Sequence, residues 1–186
     1  MKPKNCPAFS LVELLVVIAI IGLVSTLAVS SISGIQRSTA ITTSASQVLD
    51  YLAAGRQTAM TLSHPVEVWF CPGATNDSLL LYRTDTTNAV ARELKLNERI
   101  SLSTNADWSS VLTDSISGTK QPDPKRGSSC YSFRYMPDGS TDLAGSTSPT
   151  LTVVYRSDAN SATLPSNYFT LQIDPQTGTV RTFRPR

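Results

Sequence analysis

The sequence predicts an α+β protein, with a long N-terminal hydrophobic helix packed on a C-terminal antiparallel β-sheet domain. Three observations predict it. Ala8 to Val29 is close to uninterrupted hydrocarbon. Apolar residues then recur at three- and four-residue steps as far as about Leu62. After Pro65 the period switches to two, with turn clusters between the apolar runs.

The apolar stretch is long enough to matter on its own. From Leu14 to Val29 there is no charge, and the only polar side chains are Ser25 and Thr26. As a helix, 9–30 would rise about 33 Å, enough to cross a hydrocarbon core of roughly 30 Å. Its Leu, Ile and Val side chains favour insertion by roughly 3 to 7 kcal/mol in sum. The single carboxylate, Glu13, costs about 2.5 kcal/mol or more at mid-bilayer and less near the end where it sits. A segment that inserts despite a carboxylate implies a use for that carboxylate. The competing reading is a secretory signal peptide, with Lys2 and Lys4 as its basic start and Ala28-Val29-Ser30 as its cleavage site. Helix-compatible sequence runs on past that point, and no Pro or turn cluster marks processing.

The residues here resemble a known pattern. A short basic leader (MKPKNCPA), then FSLVE, then an apolar run is similar to the N-terminus of type IV prepilins and type II secretion pseudopilins. The resemblance implies cleavage by a membrane prepilin peptidase between Ala8 and Phe9, and methylation of the new amine on Phe9. The family prefers Gly where this chain has Ala8. Glu13 would then lie four residues from a positive amine, and a paired buried charge costs less than a lone one. In the family that pairing is made between neighbouring subunits, so the resemblance implies a role for Glu13 in subunit assembly. The alternative is an unpaired carboxylate snorkelling at the interface.

The segment 31–63 continues the helix as an amphipathic stripe of Ile32, Ile35, Ile41, Ala45, Val48, Leu49, Leu52, Ala53, Ala59 and Met60. Gly34 marks a flexible point between the halves. His64-Pro65 ends the pattern, because the residue before Pro avoids helical geometry. The expected helix, 9–62, is about 80 Å long.

In 64–186, strands are expected at 65–71, 78–83, 91–102, 129–136, 150–156, 168–174 and 178–184. The last two are joined by the turn Asp174-Pro175-Gln176-Thr177-Gly178. Polar 113–128 reads as an exposed loop. The stretch GRQTAMTLSHPVEVWF is similar to the helix-to-strand junction of H-type minor pseudopilins (GspH/FimT), and FRYMPDGSTDL with LQIDPQTGTVRTF to their closing strands. That likeness implies a pilin-like fold and a minor subunit near a filament tip.

Charge and cysteines bound the partners. The chain carries 16 basic and 14 acidic residues, and losing Lys2 and Lys4 with a leader 1–8 leaves the two in balance. Bulk charge thus argues for no anionic partner. The basic leader places the N-terminus in the cytoplasm and the β domain across the inner membrane as a single-pass protein, in an oxidising compartment. Cys6 leaves with the leader. Cys71 and Cys130 could form one disulfide or stay as two buried thiols in separate strands.

Catalysis finds no constellation. His64 is the one histidine, and no CxxC, HExxH or phosphate-loop motif occurs, so no enzyme, cofactor or metal is expected. Trp69, Phe70 and Trp108 read as core. The tail TVRTFRPR groups Arg181, Arg184 and Arg186 without a nearby acid. Some FimT-like minor pilins resemble this region and are associated with DNA capture, so phosphate contact is one reading. Three arginines would give only weak, salt-sensitive binding. The other reading is a solvated edge whose charge discourages strand pairing. The expected partners are therefore prepilin peptidase, other pilin-type subunits and the inner membrane, and the alternative outside the family is a membrane-anchored periplasmic binding domain that does not polymerise.

Overall fold

The structure is a computed structural model. It describes residues 10–85, 89–112, 121–122, 129–144 and 148–185, with the side chains of 26–35, 121–122 and 129 outside that description. The leader 1–8, Phe9 and Arg186 lie outside the described residues. The chain divides into two compact units, one ending at Thr39 and one running from Ala40 to Arg186.

The first element is α1 (Leu11–Leu62), a single helix continuous through Gly34. It begins two residues later than the sequence suggests because Ser10 caps it. The Glu13 backbone N–H donates to Ser10 Oγ at 3.2 Å, which satisfies one of the orphan donors of the first turn. In the second unit, 40–62 buries Ile41, Ala45, Val48, Leu52 and Ala59. Ser44 and Gly55 share that buried face, whereas Ala53 and Met60 are exposed and Leu49 is half-buried. The apolar stripe is thus narrower than expected and includes two residues that hydropathy does not mark. Gly55 lets the helix pack closely there, since a Cβ would come 3.0 Å from Leu81 Cδ2 and press on that side chain. The helix stops at Leu62, with Ser63 in the left-handed region (φ 51°) and His64 exposed.

Among the described residues, nine strands form two antiparallel sheets: β1 (Val66–Cys71), β2 (Ser78–Arg83), β3 (Leu94–Lys95), β4 (Ile100–Leu102), β5 (Gln121–Pro122), β6 (Ser129–Tyr135), β7 (Thr150–Tyr155), β8 (Phe169–Ile173) and β9 (Val180–Phe183). The first sheet has the order β3-β2-β1-β6-β5 and the second β4-β7-β8-β9. Alternation sorts each strand. Val66, Val68, Phe70, Leu79, Leu81, Phe133 and Tyr135 face one core with the helix, and Leu151, Val153, Leu171 and Ile173 of the second sheet join it. Phe133 anchors the centre, stacked on Phe70 at 5.9 Å and edge-on to Tyr135 at 5.1 Å.

Two expectations are corrected. The single strand 91–102 is two strands in different sheets. A turn at Asn97 separates them, with the Ile100 N–H donating to the Asn97 carbonyl and the Arg99 N–H to its side chain. Leu94 and Lys95 pair with β2, and Ile100 to Leu102 with β7. Within 113–128, Gln121 and Pro122 pair with β6 rather than lying in a loop. The rest of that segment is outside the described residues.

The crossing between sheets is held by a buried carboxylate. Asp77, 3% exposed, accepts from Ser101 Oγ at 2.6 Å, the Leu102 N–H at 2.9 Å and the Gly73 N–H at 3.3 Å. Arg156, just after β7, bonds it at 3.1 Å and donates to the carbonyls of Gly73, Glu98 and Ile100. Removing one partner of such a pair strands the other's charge and donors. Asp77→Ala is therefore expected to lower the unfolding free energy by about 3–5 kcal/mol, measured by urea denaturation. A loss under about 1 kcal/mol would show that water replaces the carboxylate without cost.

Candidate functional site

The described part of the first unit presents apolar side chains on every face. Leu11 is 81% exposed and Leu23 70%, and the Leu, Ile and Val side chains between them are exposed as well. A helix apolar all round is a buried or lipid-facing element, so this surface requires a partner the monomer lacks. Glu13 is its one carboxylate, in the first turn, where the helix dipole favours negative charge. Ser10 and Glu13 have the S-x-x-E spacing of a capping box, a signal that could have found Ser10 in the sequence. Glu13 thus has a local use besides any pairing with an amine.

Among the residues whose side chains are described, no helix is long and apolar enough to cross a membrane. The described apolar run from Leu11 to Ser25 rises about 22 Å, short of a core of roughly 30 Å. The expected span 9–30 is therefore not carried by the described side chains. The sequence extends the run through Val29, beyond them.

In the second unit Cys71 and Cys130 sit opposite each other on β1 and β6 and are joined as a disulfide, with a Cα–Cα distance of 4.4 Å. That separation fits a non-hydrogen-bonded cross-strand pair. With Trp69, Leu80 and Tyr82 the bridge forms a second small cluster on the outer face of the first sheet. Trp69 donates through Nε1 to Glu67, which also binds Arg134 at 2.8 Å. Phe70 is in the main core, as expected, whereas Trp108 is only half-buried beside β7.

A third cluster ties the helix to two turn tips. Arg56 Nε donates to the Thr177 carbonyl at 2.8 Å and to that of Gly139 at 3.2 Å. Gly139 (φ 86°) and Gly178 (φ 64°) both need the left-handed region, and a Cβ on Gly178 would strike the Gly139 carbonyl. The adjoining aspartates cap these turns. Asp138 is held below the usual carboxylate range chiefly by the Ser140 hydroxyl, and Asp174 chiefly by the Gln176 N–H. Sequence reading gave Arg56 no role, because a lone cation on an amphipathic helix looks like solvated surface.

Arg181 is exposed on β9 and Arg184 just beyond it. Among the described residues, no group of three or more His, Cys, Asp or Glu side chains is placed to hold a metal.

These features define a helix-plus-β-sheet protein whose N-terminus is prepilin-like, since residues 3–29 match the prokaryotic N-terminal methylation motif. Among solved structures the chain is similar to the minor pseudopilin EpsH from the Type 2 Secretion System of Vibrio cholerae. The two are 13% identical, the match covers 77% of this chain and 96% of that one, and the TM-score is 0.46. No curated protein sequence matches the chain.

Two expectations follow. Opening the 59-residue loop between the cysteines (Cys71→Ser with Cys130→Ser) should cost about 4 kcal/mol of stability by loop-closure entropy, read from chemical denaturation. The two turn carboxylates have folded pKa values below their ordinary 3.8. Their contribution is therefore complete above that pH and lost as pH falls through the lower folded values. Burial raises Asp142, which works in the opposite sense. Hydrogen exchange at the 137–140 and 174–178 turns should accelerate only below about pH 4. Opening already at pH 5 would exclude these carboxylates as the cause.

Proposed function

We propose that this protein is a structural subunit of a pilin-type filament and not an enzyme. The observation that carries the reading is the methylation motif over 3–29, placed at the head of a helix whose described apolar side chains are exposed on all faces. A prepilin peptidase cuts between Ala8 and Phe9 and the Phe9 amine is methylated. Residues 9–30 hold the chain in the inner membrane as a single pass, the N-terminus cytoplasmic and the β domain periplasmic. Withdrawing that segment from lipid requires other apolar surface to replace the lipid, and the helices of neighbouring subunits supply it. Glu13 then neutralises a neighbour's N-terminal amine and fixes the register between subunits. The sequence likeness of the helix-to-strand junction to H-type minor pseudopilins favours a minor subunit near the tip, in a type II secretion pseudopilus or a type IV pilus.

The test is intact mass and N-terminal sequencing after co-expression with a prepilin peptidase. The expected mature chain begins at N-methylated Phe9. A chain that keeps residues 1–8, or one cut after Ala28 or Ser30, would overturn the reading. Glu13→Gln preserves the size of the side chain but removes its charge. It is expected to be cleaved like the parent and to enter sheared filaments at least about tenfold less. Normal incorporation would leave Glu13 with only its local role in the first turn.

A further inference from the structure

The second sheet ends on β9, whose pairing with β8 is antiparallel with Gln172 opposite Arg181 and Ile173 opposite Val180. Asp174 N–H donates to the Thr179 carbonyl at 2.9 Å, so Asp174–Thr179 is a hydrogen-bonded pair. Alternation from that pair makes Arg181 and Phe183 bond inward to β8. It turns the backbone N–H and C=O groups of Val180 and Thr182 outward, to the free edge. Val180 and Thr182 point to the core face of the sheet, yet Val180 is only half-buried and Thr182 is exposed. The core is incomplete on this side. A groove of about 270 Å³ lies there, with Leu49, Ala53, Arg56 and Gln57 of the helix on one wall and Thr179 and Val180 on the other. On the opposite face of the strand stand Arg181 and Phe183, the latter 51% exposed.

Charge selects what can use this edge. A second copy pairing through its own β9 would bring arginine against arginine, and like charges on neighbouring strands destabilise a sheet. An incoming strand with carboxylates reverses that sign. Its inward apolar side chains would enter the groove beside Leu49 and Val180, and its backbone would satisfy the outward groups of Val180 and Thr182. We infer that β9 is a docking edge for an extended acidic segment of another protein, which adds a fifth strand to the second sheet. This goes beyond the filament role, because it stands on the β domain whether or not the chain polymerises.

The full chain in detergent micelles is titrated with a fluorescein-labelled peptide that alternates Glu and Val, and hydrogen–deuterium exchange is followed across 176–185. Saturable, salt-weakened binding is expected, with exchange at Val180 and Thr182 slowed about tenfold or more. Arg181→Glu with Arg184→Glu should weaken binding at least about tenfold and transfer it to a Lys–Val peptide. Thr182→Pro removes an outward N–H at a site where an edge tolerates proline, and should also weaken binding. Several results would overturn the inference. These are no binding, binding indifferent to charge reversal, protection of the edge by self-association without peptide, and capture of a single-stranded oligonucleotide with the two amides left unprotected.

Discussion

The β domain depends on one buried carboxylate. Its two sheets draw on alternating stretches of the sequence, because the chain leaves the first sheet after β3, enters the second at β4 and returns to the first for β5 and β6. The β1–β2 turn and strand β4 leave backbone groups that neither ladder satisfies. Asp77 collects them, binding the N–H groups of Gly73 and Leu102 and the Ser101 hydroxyl, and Arg156 closes the arrangement with three carbonyls. A buried carboxylate is tolerable only when its lone pairs are used, and here each oxygen of Asp77 accepts two bonds. The pair therefore fixes where the sheets meet more than it adds to their stability.

A second constraint sets the position of the last hairpin. Arg56 extends from the helix to the carbonyls of Gly139 and Thr177, and the Thr141 N–H and hydroxyl both donate to the Pro175 carbonyl. The two turns are thus held against each other and against the helix. Both 139 and 178 have left-handed backbones that favour glycine, and at 178 the Gly139 carbonyl leaves no room for a Cβ. The consequence reaches the surface: β9 is anchored at its start and left open along its outer edge. Rigid anchoring with an open edge is the arrangement that strand addition uses.

The two units divide the work by surface chemistry. The first offers hydrocarbon on every face from Leu11 to Val24 with one carboxylate, which suits lipid or other helices. The second buries its apolar residues in one main core and offers a polar exterior, with a basic strand at one edge. The disulfide belongs to this division, since Cys71 and Cys130 pin adjacent strands on the face that the main core does not reach. Longitudinal packing and lateral docking can then use different parts of the chain.

The sequence by itself determined the elements whose signal is local. Continuous hydrocarbon announced the helix, the FSLVE start carried the N-terminal motif, and two-residue alternation located β1, β2, β6, β7, β8 and β9 to within a residue or two. Tertiary structure alone decided what depends on distant partners. The break at Asn97 was hidden, because 91–102 reads as one apolar alternation and only the choice of pairing partner divides it. Two-residue β5 is too short to have a pattern of its own. Gly55 lies on the buried face of the helix because Leu81 of β2 approaches there, and Ser44 is buried on the same face without being apolar. Asp77, Arg56 and Arg156 look like surface charges in the sequence. Burial of Asp77 and the distant carbonyls that Arg56 and Arg156 bind make them structural, and both are properties of the whole fold.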